Sequence, residues 1–312
     1  MNKKIVIFGG GSGLSTILKG LKLFPVTIVA IVSVSDNGGS SGIIRRATNM
    51  PAIGDLRKVY TALSDNDKLN ILLNYRFQGP LFKNHPLGNI ILLALYELEN
   101  ENLDKTLKDF EDLLNLNGKV LPVSFKPVTL KALYDGYSIL GEKEIHINRD
   151  RILKLENTPN NYVNAQVINE ILDADMIVYS AGSLYTSTIA GLSYPKIIES
   201  LSISKAKKVY IANIMTEKYE TYGFSLSDHI NEIIKTVGID NLDIVIANND
   251  YKINKKIKQK YRKQKSILVN ANCNVDKKIK IIQTKLWELD NETIKHDSFK
   301  LARILFKLLY KE

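Results

Sequence analysis

Lys4-Ile5-Val6-Ile7-Phe8-Gly9-Gly10-Gly11-Ser12-Gly13-Leu14 lies at the start of the chain, and the fold follows from how it is read. Residues 4–8 form a short apolar strand. The glycines end it in a turn with no side chains in the way, and Leu14, Ile17, Leu18 and Leu21 then recur at helical spacing. Pro25 closes that helix. The almost unbroken apolar run 26–34 has the pattern of a strand buried on both faces of a parallel sheet. Strand, glycine loop, helix and strand make a βαβ unit. This predicts a Rossmann-like, doubly wound, mainly parallel α/β sheet with a right-handed crossover.

Working outward, stretches 56–63, 90–98 and 103–114 have amphipathic helical spacing. From 119 to 156 short alternating runs (120–125, 130–134, 144–147) sit among Pro and Gly, which predicts a small antiparallel, β-rich insertion. The α/β rhythm resumes with helix 163–172, strand 176–180, helix 196–201, strand 208–214, helix 226–237 and strand 242–247. Helix 299–310 closes the chain. No repeat or low-complexity linker interrupts the 312 residues, so a single α/β nucleotide-binding domain spanning 1–312 is expected.

Composition narrows the function classes. The first apolar run is too short for a secretory signal, and 26–34 falls far below the ~20 residues that span a bilayer, so no membrane insertion and a cytoplasmic location are expected. The single cysteine, Cys273, allows no internal disulfide. His85, His146, His229 and His296 lack zinc-ligand spacing. A net charge of +10 raises the question of nucleic acid, but the basic stretch 252–265 carries only Tyr251 and Tyr261 at its edges, without the aromatic ladder of a single-strand binder. A Lys-rich solvated face explains the charge, and no nucleic-acid partner is expected.

The chemistry gathers in loops that follow strands, where open α/β sheets bind ligands. Gly10, Gly11, Ser12 and Gly13 would let a phosphate approach backbone N–H groups at a helix N-terminus. The loop matches neither the P-loop nor the G-x-G-x-x-G spacing, and a tight βα turn alone would also account for it. The second loop, Asp36-Asn37-Gly38-Gly39-Ser40-Ser41, offers an anion nest beside an acid able to hold Mg²⁺ or a ribose hydroxyl. Asp55 opens a further helix, where N-capping is the simpler role. Asn89 follows in the HPLGN stretch. Gly182, Ser183, Tyr185 and Thr186 form a second phosphate-type turn after strand 176–180, and Asn213 and Thr216 stand after the next strand.

Together, GGGSGL (9–14), SDNGGSSG (35–42), GDLRK (54–58), HPLGN (85–89), AGSLYTS (181–187) and NIMTEKYETYGFSLSDH (213–229) resemble the gluconeogenesis-factor (YvcK-like) family. That family is related to the CofD-like 2-phospho-L-lactate transferases. The resemblance implies a Rossmann-like fold with a nucleotide ligand. In the transferase branch it implies a guanosine-diphosphate-linked donor and Mg²⁺ near the acidic loops, which by motif position falls on Asp36 and Asp55. In the gluconeogenesis-factor branch it implies a UDP-sugar such as UDP-N-acetylglucosamine, with no established reaction. The role implied there is in cell shape and wall homeostasis on gluconeogenic carbon sources. The family's C-terminal Arg-His pair stands here as Lys295-His296, and Arg45 and Arg46 come later after the glycine-serine loop than is usual. Tyr261, ahead of the last strands, is a candidate to stack on the base.

A nucleotide-sugar-binding factor is the reading preferred here. A Mg²⁺-dependent phosphoryl or phospholactyl transferase and an NAD-binding enzyme are the alternatives. A homo-oligomer and partners in the cell-envelope pathway are expected.

Overall fold

The computed structural model describes residues 2–80, 82–148 and 150–310. Its centre is a seven-stranded, all-parallel sheet. The strands are β1 (Lys4–Gly9), β2 (Thr27–Val32), β3 (Lys119–Pro122), β7 (Met176–Tyr179), β8 (Lys207–Ile211), β9 (Ile244–Asn248) and β10 (Lys280–Thr284). Their spatial order is β10-β9-β8-β7-β1-β2-β3. The chain therefore steps outward from β1 through β2 to β3, returns to the other side of β1 at β7, and steps outward again. That reversal makes a topological switch point between β1 and β7.

The two central strands are buried on both faces, and Ile5, Val6, Ile7 and Phe8 have no exposed surface. At ~1.5–3 kcal/mol for each fully buried large apolar side chain, these positions weigh heavily in fixing the strand. The expected helix after the first loop is α1 (Gly11–Leu21), which buries Leu14, Ile17, Leu18 and Leu21. It packs against α3 (Gly54–Leu63) and the C-terminal helix Ser298–Tyr310.

The antiparallel insertion is a three-stranded sheet of order β5-β4-β6, built from β4 (Thr129–Leu133), β5 (Ser138–Leu140) and β6 (Lys154–Thr158). Two parts of the stretch expected to form it behave differently. Lys119–Pro122 pairs in parallel with β2 as the edge of the main sheet. Residues 144–147 belong to the helix Glu142–Ile147, which turns only Ile145 fully inward. Four residues of E-I-H-I fit either period, whereas Lys119–Pro122 finds its partner in the distant β2.

Helices beyond the sequence reading include α2 (Gly39–Thr48), α4 (Asp67–Asn74) and the basic helix Lys255–Lys263. A hairpin of β11 (Trp287–Asp290) and β12 (Thr293–His296) carries Lys295 and His296. Its Trp287 and Ile294 join Ile214 and Ile257 in a small apolar cluster separate from the main core.

Candidate functional site

The loops after β1 and β7 touch at the switch point, and glycine makes the contact possible. A Cβ on Gly13 would lie 2.0 Å from the Ala181 carbonyl oxygen, and one on Gly9 would lie 1.9 Å from the Ser180 hydroxyl. Gly11, at φ 57°, starts α1. The N-cap of that helix is Gly10 and has no side-chain cap, so its first N–H groups are not met by a capping side chain. From this end of α1 opens a cleft of about 480 Å³. Ser12, Gly13, Lys19, Lys58, Gly182, Asn213, Glu217, Lys295 and His296 line it.

Each of these residues has a local reason for its position. The Asn213 amide clamps Gly182 from both sides, accepting from its N–H at 3.2 Å and donating to its carbonyl at 2.7 Å. His296 is buried with Nε2 at 3.2 Å from the Ala212 carbonyl, and burial pushes its pKa down to about 4, so the ring is neutral. Lys295 pairs with Asp290 across the hairpin. Both partners are about half exposed, so solvent screens the pair and leaves the cation available.

The acidic loops form a second cluster beside the glycine turn. Asp55 lies in the first turn of α3, whose N-cap is Ile53, so it does not cap that helix. Its carboxylate instead sits over the first loop: a Cβ on Gly10 would come within 2.5 Å of it. Lys58 Nζ donates to Asp55 at 2.9 Å. Asp36 accepts from the Gly38 amide at 2.7 Å.

Glu142, from the insertion, is hydrogen-bonded to Asp36, and its carboxyl is held well above the usual carboxylate range. Burial is the main cause, followed by the Asp36 charge and, more weakly, that of Asp55. Asn37 ties the insertion down, accepting from the Lys143 amide at 2.7 Å and donating to Glu144 at 3.0 Å. Among the described residues no group of three or more His, Cys, Asp or Glu side chains is placed to hold a metal ion. Two carboxylates on adjacent loops still match how Mg²⁺ is commonly held, through one or two carboxylates plus substrate phosphates and water.

Several predicted residues serve the framework. Ser40 meets the His85 ring at 2.8 Å and the Asn89 amide at 3.0 Å. Asn89 in turn accepts from buried Arg57 at 3.0 Å, so both ends of its amide are used internally. Burial lowers the Arg57 pKa to about 10. Ser41 packs where a Cβ on Gly54 would otherwise sit, 2.3 Å from its hydroxyl. Gly39, at φ 47°, opens α2 with no atom near the place of a Cβ. Thr216 is paired with Ile267, donating its N–H to that carbonyl at 2.7 Å and accepting from that amide at 3.0 Å. Tyr261 lies outside the switch-point cleft, beside a smaller one of about 280 Å³. Its hydroxyl accepts from the Ile294 amide at 2.8 Å and so props the strand that carries Lys295.

The turn after β7 carries features that the sequence reading missed. Residues Leu184–Ile189 form a π-helical turn, a rare conformation frequent at functional sites. Two acids from the next loop staple it. Glu217 accepts from the Ser183 hydroxyl at 2.9 Å. Glu220 accepts from the Tyr185 amide at 3.1 Å and the Thr186 hydroxyl at 2.7 Å, and has His146 Nδ1 at 3.6 Å. The only sequence signal for this pair was its presence in the 213–229 motif.

Fold and site define a Rossmann-like α/β protein whose glycine loops meet at the switch point. A family model described as 2-phospho-L-lactate transferase CofD matches residues 5–287. The gluconeogenesis factor of Bacillus subtilis is 38% identical, with 98% of each chain covered. A putative gluconeogenesis factor of Thermotoga maritima is 36% identical over 98% of this chain and 99% of that one. A crystal structure of a Bacillus halodurans protein has a TM-score of 0.92 at 34% identity, covering 98% of this chain and all of the other. The chain belongs to the CofD family, among the relatives named gluconeogenesis factors. Among the described residues no helix is long and apolar enough to cross a membrane.

Proposed function

We propose that the cleft at the switch point binds a UDP-sugar such as UDP-N-acetylglucosamine without consuming it. In this reading residues 1–312 act as one cytoplasmic nucleotide-binding domain. The observation that carries it is the uncapped N-terminus of α1 opening into a cleft with Lys19, Lys58 and Lys295 on its walls. Backbone donors and a positive helix end suit a diphosphate, and the lysines add charge that does not depend on the sugar. Ser12, Gly13, Gly182 and Asn213 would meet the diphosphate, with Lys295 on a phosphate or carbonyl oxygen. Ligand binding would report nucleotide-sugar supply to cell-envelope partners during growth on gluconeogenic carbon, with the chain working as a homo-oligomer.

The acidic cluster favours a second reading. Asp36 and Asp55 would hold a Mg²⁺ against the ligand phosphates, and a cation there would offset the burial and the Asp36 charge that hold the Glu142 carboxyl above the usual range. That arrangement belongs to a phospholactyl or phosphoryl transferase, in which the cation would stabilise the charge of the transferring group.

The experiment that separates them is prolonged incubation with UDP-N-acetylglucosamine and Mg²⁺, followed by chromatography. Intact sugar nucleotide, together with a thermal stabilisation of about 2.7 kcal/mol at a hundred times the dissociation constant, supports the binding factor. Released UMP together with a new phosphosugar product installs the transferase instead.

A further inference from the structure

Glu217 and Glu220 put two carboxylates on one turn of chain, yet the structure treats them differently. Glu220 is buried and fully engaged by the Tyr185 amide, the Thr186 hydroxyl and His146. Its charge is compensated where it stands. Glu217 lines the switch-point cleft, and its side chain has one hydrogen-bond partner among the described residues, the Ser183 hydroxyl, which donates to Oε2. Oε1 is left without a hydrogen-bond partner among those residues. Burial pushes the Glu217 pKa up to about 7 and the neighbouring Glu220 charge adds to the shift, against the weaker pull of Ser183 and His146.

An ionised carboxylate in a cleft meant for an anion would repel it. A carboxylic acid in the same place is a hydrogen-bond donor. We propose that Glu217 meets the ligand as a carboxylic acid: Oε2 accepts from Ser183 while Oε1 carries the proton and donates to a phosphate oxygen of a diphosphate diester. Glu217 then belongs with Lys19, Lys58 and Lys295 among the groups that read the anion, although its formal charge argues against it. The inference rests on the nucleotide reading of this cleft.

Of the charged and titratable groups around Glu217, Glu220 and Lys218 lie on its own loop, His146 on the helix Glu142–Ile147 and Tyr210 on β8, while Lys19 on α1, Lys58 on α3, and Lys295 and His296 on β12 line the same cleft. His296 is already neutral through burial. Tyr210 is pushed above its ordinary value by burial and stays protonated. His146 is the remaining competitor, because its hydrogen bond to Glu220 raises it from the imidazole range.

Binding of an anion to the protonated form makes affinity highest below the free-protein pKa of Glu217. Above it, affinity falls by up to about tenfold per pH unit. The test is titration calorimetry of the full chain with UDP-N-acetylglucosamine from about pH 6 to about pH 8.5, a window in which the diphosphate diester has no titrating group. The expected result is a dissociation constant that rises at least about tenfold across the window for the wild type and stays flat for Glu217→Gln, whose amide donates at every pH. Glu217→Gln should therefore bind more tightly than wild type at the alkaline end. His146→Gln should keep the wild-type slope.

Binding by the wild type that does not change with pH overturns the inference and leaves the nucleotide reading standing. So does a wild-type slope that survives in Glu217→Gln, or one that disappears in His146→Gln. Absence of binding at every pH overturns both.

Discussion

The helices that start at the glycine loops and the helices elsewhere begin differently. α1, α2 and α3, together with α5 (Leu87–Leu98), have Gly10, Gly38, Ile53 and Pro86 at their N-caps, and none has a side-chain cap. By contrast Asn66, Asn102, Asn164, Ser225 and Asn254 cap five helices away from those loops through their side chains. The helix Pro195–Ile203 is also uncapped, but its first residue is a proline with no N–H to satisfy, and the short helix Glu142–Ile147 starts at Gly141 without a side-chain cap. The chain thus uses capping side chains at five of its other helices. It omits them at the four helices that begin at the glycine, GDLRK and HPLGN loops. A side-chain cap is worth about 1 kcal/mol, so the omission at four helices is a substantial concession in a domain of ordinary stability.

The sharpest way to break this contrast is to fill the contact between the two loops. Gly13→Val would drive a Cβ into the Ala181 backbone, which cannot rotate away. It should cost more than about 3 kcal/mol, beyond the usual cost of overpacking, with the denaturant midpoint falling accordingly. Gly39→Ala meets no atom and bears only the left-handed backbone strain of about 1–2 kcal/mol. Equal losses in the two variants would mean that the β1–β7 loop contact does not set the site.

A middle-sized effect is expected on the capped side. Asn102→Ala should lower stability by about 1 kcal/mol and leave ligand affinity untouched. The smallest effect is the most informative. Gly38→Ser would supply α2 with a cap in an extended conformation that serine readily adopts. It should gain a few tenths of a kcal/mol in unfolding experiments while weakening UDP-N-acetylglucosamine binding. A Gly38→Ser protein that is more stable and binds equally well would show that the bare N-terminus of α2 serves no ligand.

Much of the architecture was legible because the decisive pattern is local. Residues 4–14 and 26–34 state strand, turn, helix and buried strand within one stretch of chain, and the strands at 176–180 and 242–247 repeat the signal. The place of β3 in the main sheet escaped because Lys119–Pro122 is short, ends in proline and finds its partner in β2, ninety positions earlier, at a register no local period encodes. The glycine loops were legible as loops. Their mutual contact was not, since it depends on β7 returning beside β1. The acids divide in the same way. Asp36 and Asp55 stood out at the ends of motifs, whereas Glu142 reaches Asp36 from an insertion more than a hundred residues away. Asn89 and Thr216 stood out as polar residues in the motif loops. That Arg57 and the Ile267 amide meet them was not legible, because both contacts come from distant parts of the chain.

The β11–β12 hairpin bears on time scale as well as on shape. Its apolar support is the small cluster of Ile214, Ile257, Trp287 and Ile294, with Met215, Ile253, Tyr261 and Leu268 packed against it, set apart from the main core. A unit held by so little buried surface opens more cheaply than the sheet beside it, so its amides should exchange with solvent through local opening rather than through global unfolding. The Ile294 amide, bonded to the Tyr261 hydroxyl, reports that opening directly. Lys295 and His296 ride on the same hairpin, so the far wall of the cleft has its own, faster clock than the glycine loops that face it.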